Sequence, residues 1–227
     1  MQTYKLKITL LSDTTPGRGD GVAGAVDVEV EHDRYGMPFV RGRSLKGLLV
    51  EEWANLRFAL EQAGVDLTRW DKAAYVLFGR PGSTLDDGAA MHVGHARLPA
   101  DLRQAIIADA RALKEEEQRS ARAAAILDAL TDVRYQTAID PSGVPSEGTL
   151  RAMRVILRKT IFEATLRFSE PPSDDALALL SACVHAARRL GTARNRGRGR
   201  VRMRLYDENG KPISKDELKR FAKEVYA

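Results

Sequence analysis

Two strand–helix–strand patterns, one near each end of this 227-residue chain, restrict its fold more than any other feature. Residues 4–11 alternate apolar and polar, with Leu6, Ile8 and Leu10 on one face. Residues 44–63 carry Leu45, Leu48, Leu49, Trp53, Leu56 and Leu60 on one stripe at helical spacing, and residues 91–98 read as a strand. The second pattern starts at residues 161–168, where Phe162, Ala164, Leu166 and Phe168 alternate with Ile161, Glu163, Thr165 and Arg167. A helix over 174–190 follows, with Leu177, Leu180, Val184 and Ala187 on one side, then a strand over 201–206 facing Val201, Met203 and Leu205 inward. Strand, helix, strand, twice over, is the split β-α-β arrangement of a ferredoxin-like (RRM-like) sheet in an α+β fold.

Residues 99–159 interrupt that order as an insertion: a helical stretch from 99 to about 130, whose polar run at 115–122 is either a solvated helix segment or a break, then extended runs at 131–139 and 150–157 joined by a turn at 140–148. No internal repeat, low-complexity tract or linker divides the chain, so residues 1–227 are read as a single domain. Residues 25–31 alternate too, which would turn Val26, Val28 and Val30 inward and leave Asp27, Glu29 and Glu31 on the opposite face. Asp33 to Gly36 forms a turn, 71–78 a short helix closed by Gly79-Arg-Pro-Gly82, and 83–90 a loop. Ser214-x-x-Glu217 is a capping box for a last helix. His92 and His95, three residues apart on a strand, face opposite sides and make a poor metal pair; His32 and His185 stand alone.

The charge is uneven. The net value is +5 with a sequence pI of about 9.4, yet no acidic residue occurs from Ala176 through Tyr206. Within that stretch Gly191-Thr-Ala-Arg-Asn-Arg-Gly-Arg-Gly-Arg-Val201 sets glycines among arginines. Glycine permits left-handed backbone and close approach, and guanidinium forks match phosphate oxygens. Arg194, Asn195, Arg196, Gly197, Arg198 and Gly199 thus suit a flexible loop laid against a polyanion; the plain alternative is a solvated basic turn. A second basic run, Arg41-Gly-Arg-Ser-Leu-Lys-Gly47, opens the first long helix. Ser44 would cap it, and its free N–H groups with Arg41, Arg43, Lys46 and Gly47 would form a phosphate site. The hairpin adds Arg134, Tyr135, Arg151 and Arg154, cations and an aromatic that suit RNA bases and phosphates. Loop and helix mouth are expected to converge on one face. The lone Cys183 excludes an internal disulfide and fits a reducing cytoplasm; no apolar run reaches about 18 residues and the N-terminus reads as a strand rather than a signal peptide, so a cytoplasmic protein without a membrane partner is expected.

In order and spacing, Gly24-Ala-Val-Asp27, Asp33-Arg-Tyr-Gly-Met-Pro-Phe39, Ser44-Leu-Lys-Gly-Leu-Leu49 and the loop from Gly191 to Val201 make the chain resemble a RAMP-superfamily subunit of a type III CRISPR effector complex. Arg134-Tyr-Gln-Thr-Ala-Ile-Asp140 with Leu150-Arg-Ala-Met-Arg-Val155 is most similar to the type III-D branch. One departure is Arg41-Gly42, where the family has Pro-Gly. The resemblance implies a ferredoxin-like palm with a helical and β-hairpin thumb insertion. It also implies CRISPR RNA, target RNA and other effector subunits as partners, with the guide gripped by its backbone and the thumb kinking the guide–target duplex. At the position of Asp27 the cleaving subunits carry a loop aspartate that supports divalent-metal-dependent cutting. Asp27 is therefore the candidate catalytic residue and Mg²⁺ ligand, against a purely structural Asp27. A non-catalytic cap subunit that holds the guide's 5′ handle, and a stand-alone endoribonuclease that processes CRISPR transcripts, remain the alternatives.

Overall fold

A computed structural model describes residues 2–22, 25–80 and 88–225. Gly24 of the Gly-Ala-Val-Asp motif, the end of the Gly79 turn and most of the loop at 83–90 lie outside the described residues. The first unit comprises β1 (Gln2–Leu10), α1 (Gly42–Gln62), α2 (Thr68–Phe78) and β2 (Met91–Val93). The second comprises β5 (Ile161–Phe168), α5 (Asp174–Ala186), β6 (Val201–Tyr206) and α6 (Ser214–Val225). Between them lie α3 (Ala100–Ala112), α4 (Glu116–Leu130), β3 (Thr131–Gln136) and β4 (Arg151–Ile156).

The sheet runs β2-β5-β1-β6 with every pairing antiparallel, the interleaved order of a ferredoxin-like fold. β1 is central: Leu6 sits opposite Ala164 on one side and Leu205 on the other. The period-2 pattern sends Leu6, Ile8, Phe162, Leu166 and Leu205 to one face, where all five are fully buried. α5 covers that face. From Ala178 to Val184 it offers no side that water prefers, and every residue of that span is buried. α1, α2 and α6 pack around it, with Trp70 of α2 edge-on to Phe221 of α6 at 4.6 Å. Cys183 lies inside this layer, and burial pushes its thiol well above the ordinary range, which leaves it inert. The opposite sheet face is open and basic: Lys5, Arg167, Arg202 and Arg204 are exposed on it, and none has an ion pair among the described residues.

Several expectations need correcting. Residues 25–31 form no continuous strand; isolated bridges join Val26 to Val22, Val28 to Met153 and Val30 to Gly17, because this segment is clamped between a loop and the hairpin rather than laid into a sheet. Of the two readings open for the polar run in the 99–130 helix, the break is the one found: α3 and α4 are separated at 113–115. α5 stops at Ala186, since the chain must then run beside β6: Val201 N–H donates to the Arg188 carbonyl at 2.9 Å and Leu190 N–H to the Gly199 carbonyl at 2.8 Å. Ser214 does not close a capping box; its hydroxyl bonds the backbone of Leu205 and ties α6 to β6.

Phe162 lies at the centre of the buried face. Phe162→Ala should cost about 3–5 kcal/mol, seen as a lower urea midpoint at unchanged slope.

Candidate nucleic-acid interface

The Gly/Arg loop leaves α5 and returns as β6, and the register Leu10 opposite Val201 sets it beside the segment that leaves β1. Thr192 N–H donates to the Thr15 carbonyl at 2.9 Å and Gly199 N–H to the Asp13 carbonyl at 3.0 Å. Gly191 has φ +86, and a Cβ there would stand 2.4 Å from the Thr15 oxygen; at Gly199, with φ +75, it would stand 2.3 Å from the Leu190 oxygen. These glycines permit close backbone contact. From within the turn Arg189 donates to the Arg194 carbonyl. The loop is therefore pinned at both ends and braced across its middle, contrary to the expectation of a flexible turn.

Its arginines have separate tasks. Arg194 reaches Glu51 of α1 at 3.2 and 3.3 Å. Arg196, exposed, reaches the Gln136 side chain of β3 at 3.4 Å. Arg198 turns to the other side of the loop, toward Arg134 and Asp13. The loop thereby joins α1 to the hairpin, and a groove of about 1340 Å³ opens between them. Asp27, Arg151, Arg188, Asn195 and Arg196 stand on its walls. It continues past Arg194 into a cleft lined by Arg41, Ser44 and Gly47.

Loop and helix do meet, but not through every residue expected. Ser44, Gly47 and Glu51 recur at helical spacing on the side that faces the loop. Lys46 stands about 200° around the axis from Ser44 and lines neither cleft. Burial of its stem pulls its pKa down. Arg43 is exposed beside it and likewise off the groove wall. The helix mouth is also less open than the sequence suggested. Arg41, not Ser44, occupies the N-cap position, no side chain of that residue caps the helix, and the Gly42 N–H donates to His95 Nδ1 at 3.0 Å. Arg41 itself pairs with Glu31.

The hairpin divides in the same way. Opposed pairs are Arg134–Met153, Gln136–Arg151, Tyr135–Ala152 and Val133–Arg154. The pleat sets Arg134, Gln136 and Arg151 on the face toward the loop, and Tyr135 and Arg154 on the other. Tyr135 stays 66% exposed. Arg154 folds back on Glu29, with an ion-pair distance of 3.0 Å, and on Asp128 at 3.2 Å. Glu29 is thus buried, 3% exposed, rather than on a wet strand face, and it also accepts the Val30 N–H at 2.8 Å. Asp27 is exposed at the groove wall, exchanges backbone and side-chain bonds with Ala152, and accepts that residue's N–H on Oδ2 at 2.7 Å. No group of three or more His, Cys, Asp or Glu side chains among the described residues is placed to hold a metal ion. On the hairpin side the site offers a cation the remaining oxygen of Asp27; across the groove stand Glu51, engaged by Arg194, and Glu52.

The arrangement is a cationic trough with polar walls, with Asp27 on the hairpin side, Glu51 and Glu52 on the helix side, and no histidine on its walls among the described residues. The RAMP superfamily model matches residues 7–202, which contain β2, β5, parts of β1 and β6, the groove and the loop. The chain belongs to the RAMP superfamily. No curated protein sequence matches it. Among the solved structures that share this chain's fold are two cryo-EM structures. One, "Type III-B Cmr-beta Cryo-EM structure of the Apo state", aligns at 15% identity and TM-score 0.59 over 91% of this chain and 98% of that one. The other, "Cryo-EM structure of the Type III-B Cmr-beta bound to cognate target RNA", aligns at 15% identity and TM-score 0.60 over 96% and 99%. No helix among the described residues of this RAMP chain is long and apolar enough to cross a membrane.

Sequence reasoning did not find Glu51, Glu29, Asp13 or His95. Glu51 was legible as the residue one heptad beyond Ser44 on the same helix face; the others act through contacts distant in sequence. Removing Glu29 leaves the largely buried Arg154 with Asp128 as its one remaining carboxylate among the described residues, beside the Thr131 hydroxyl. Glu29→Ala should therefore destabilise the protein by about 3 kcal/mol, read from chemical denaturation.

Proposed function

We propose that this RAMP protein is an RNA-binding subunit of a type III CRISPR effector complex that holds the guide by its ribose-phosphate backbone. The observation that carries the reading is the continuous groove from Ser44 and Gly47 past Arg194 and Arg196 to Arg151. A trough rich in guanidinium groups, with no aromatic side chain on its walls among the described residues, grips phosphates without reading bases. Sequence is then left to pairing between guide and target. The likeness to a Cmr-beta structure bound to cognate target RNA supports the same class of ligand. The hairpin tip supports a role against a duplex or a neighbouring subunit: Tyr135, Ile139, Val144 and Leu150 are 66%, 67%, 56% and 66% exposed, an apolar group suited to wedging between bases.

Cleavage of target RNA belongs to the same proposal. Asp27 supplies one free carboxylate oxygen at the groove edge, a donor that suits a hydrated Mg²⁺ shared with RNA phosphates rather than caged by protein. Such a cation, when bound, stabilises charge on the phosphate. The chain's own contribution is to fix Asp27 against Ala152 and to hold the strand beside it. The second reading, a non-catalytic cap subunit at the guide's 5′ handle, is favoured by that Ala152 bond, which gives Asp27 a structural task. A stand-alone processing enzyme is disfavoured: no histidine among the described residues lines the groove or the cleft, and His95 is engaged by the Gly42 N–H.

In a complex assembled with guide, complementary RNA and Mg²⁺, Asp27→Ala should abolish regularly spaced cuts while guide binding persists. Cutting that survives the substitution, or is absent from both samples, assigns the chain to the non-catalytic reading. Separately, Arg151→Ala and Arg196→Ala should each weaken single-stranded RNA binding whatever its sequence, and flatten the plot of log affinity against log salt by roughly 0.7. An unchanged slope would show that these side chains do not touch phosphate.

A further inference from the structure

Behind the Gly/Arg loop, on the side away from the groove, lies a second cavity of about 690 Å³ where the segment leaving β1, the base of the hairpin and the loop meet. Arg134, Arg158, Lys159, Arg196 and Arg198 line it against the single carboxylate of Asp13. That carboxylate is already engaged. It accepts from Arg134 at 3.2 and 3.0 Å and from the Arg158 backbone N–H at 3.1 Å. Arg198 is left over: its Nη1 is buried with no hydrogen-bond partner among the described protein atoms. Burial, then the neighbouring Arg134, both pull its pKa down. A buried guanidinium nitrogen without an acceptor costs free energy, and an anion in the cavity that Arg198 lines offsets the repulsion between Arg198 and Arg134. Arg158 and Lys159 are exposed at the rim and have no ion pair among the described residues. Lys159 holds a left-handed backbone, φ 74, with its N–H on the Leu10 carbonyl at 2.8 Å. Arg196 lines both this cavity and the groove, so a strand in the groove reaches the cavity by crossing it.

We propose that this cavity is a phosphate socket in which Arg198, with Arg134, Arg158 and Lys159, closes on one phosphate oxyanion, so that the chain holds its ligand on both sides of the loop. The excess of cations over carboxylate suits a phosphate dianion or the phosphodiester of a strand better than a single protein carboxylate. That the phosphate comes from RNA rests on the proposed function; that the socket takes phosphate does not.

Titration calorimetry with inorganic phosphate, in chloride buffer of matched ionic strength, tests it on the full chain. Saturable phosphate binding is expected in the wild type. Arg198→Gln should weaken it about tenfold or more. Arg158→Gln, at an exposed position where folding is not at stake, should weaken it by less, and Arg204→Gln on the open sheet face should leave it unchanged. Repeating the titration with saturating single-stranded RNA that lacks terminal phosphates separates the sources. Phosphate binding lost in the presence of RNA assigns the socket to an internal phosphodiester; binding retained assigns it to a free or terminal phosphate. No phosphate binding above the chloride control, or equal binding in wild type, Arg198→Gln and Arg158→Gln, overturns the socket. The two proposals fail apart: phosphate binding that depends on Arg198 in a chain that ignores RNA sinks only the RNA reading, and RNA binding without any phosphate effect sinks only the socket.

Discussion

The pairing of β1 with β6 is the constraint on which the site depends. Once Leu10 sits opposite Val201, the chain leaving β1 and the chain entering β6 must lie side by side. That adjacency brings Asp13 and Thr15 under the Gly/Arg loop, and their carbonyls receive Gly199 and Thr192. The loop is thus an extension of the sheet rather than an ornament on it. Without the buried faces of β1 and β5 to fix the register, nothing local would hold four arginines in one arrangement.

Clustered arginines are usually read as one field of charge, but here those of the loop take distinct places. Arg194 is held by Glu51, Arg189 braces the loop from within, Arg196 points into the groove and Arg198 behind it. Carboxylates at Glu51, Glu31 and Asp13 orient their cations more than they neutralise the surface. Most of these pairs are half-exposed, where an ion pair contributes about 1 kcal/mol or less, so their value lies in position more than in stability. The exception is Arg154 with Glu29, buried together and binding the segment of Asp27 to the hairpin.

The architecture was legible because apolar spacing carries it. The alternating runs at 4–11, 161–168 and 201–206 and the stripe of α1 correspond to β1, β5, β6 and α1. The segment at 25–31 misled, because a perfect alternation of valines and acids can also arise where one acid, Glu29, is turned inward to a distant arginine. Ser44 misled because the cap geometry begins three residues earlier, with His95 supplied from another strand segment. The hairpin cations were found, yet their grouping was wrong: a pleat separates Tyr135 and Arg154 from Arg151, and spacing on paper does not show which face meets the loop.

By itself the sequence determined the succession of strands and helices, the buried face and the basic loop with its glycines, since each follows from periodicity and local composition; its short motifs carried the resemblance to the family. Only the tertiary structure decided which cations share a groove, that Lys46 stands outside it, that Asp27 bonds Ala152, and that Arg198 and Asp13 belong to one cavity. Those outcomes depend on register and on contacts between residues more than a hundred positions apart, which no local pattern encodes.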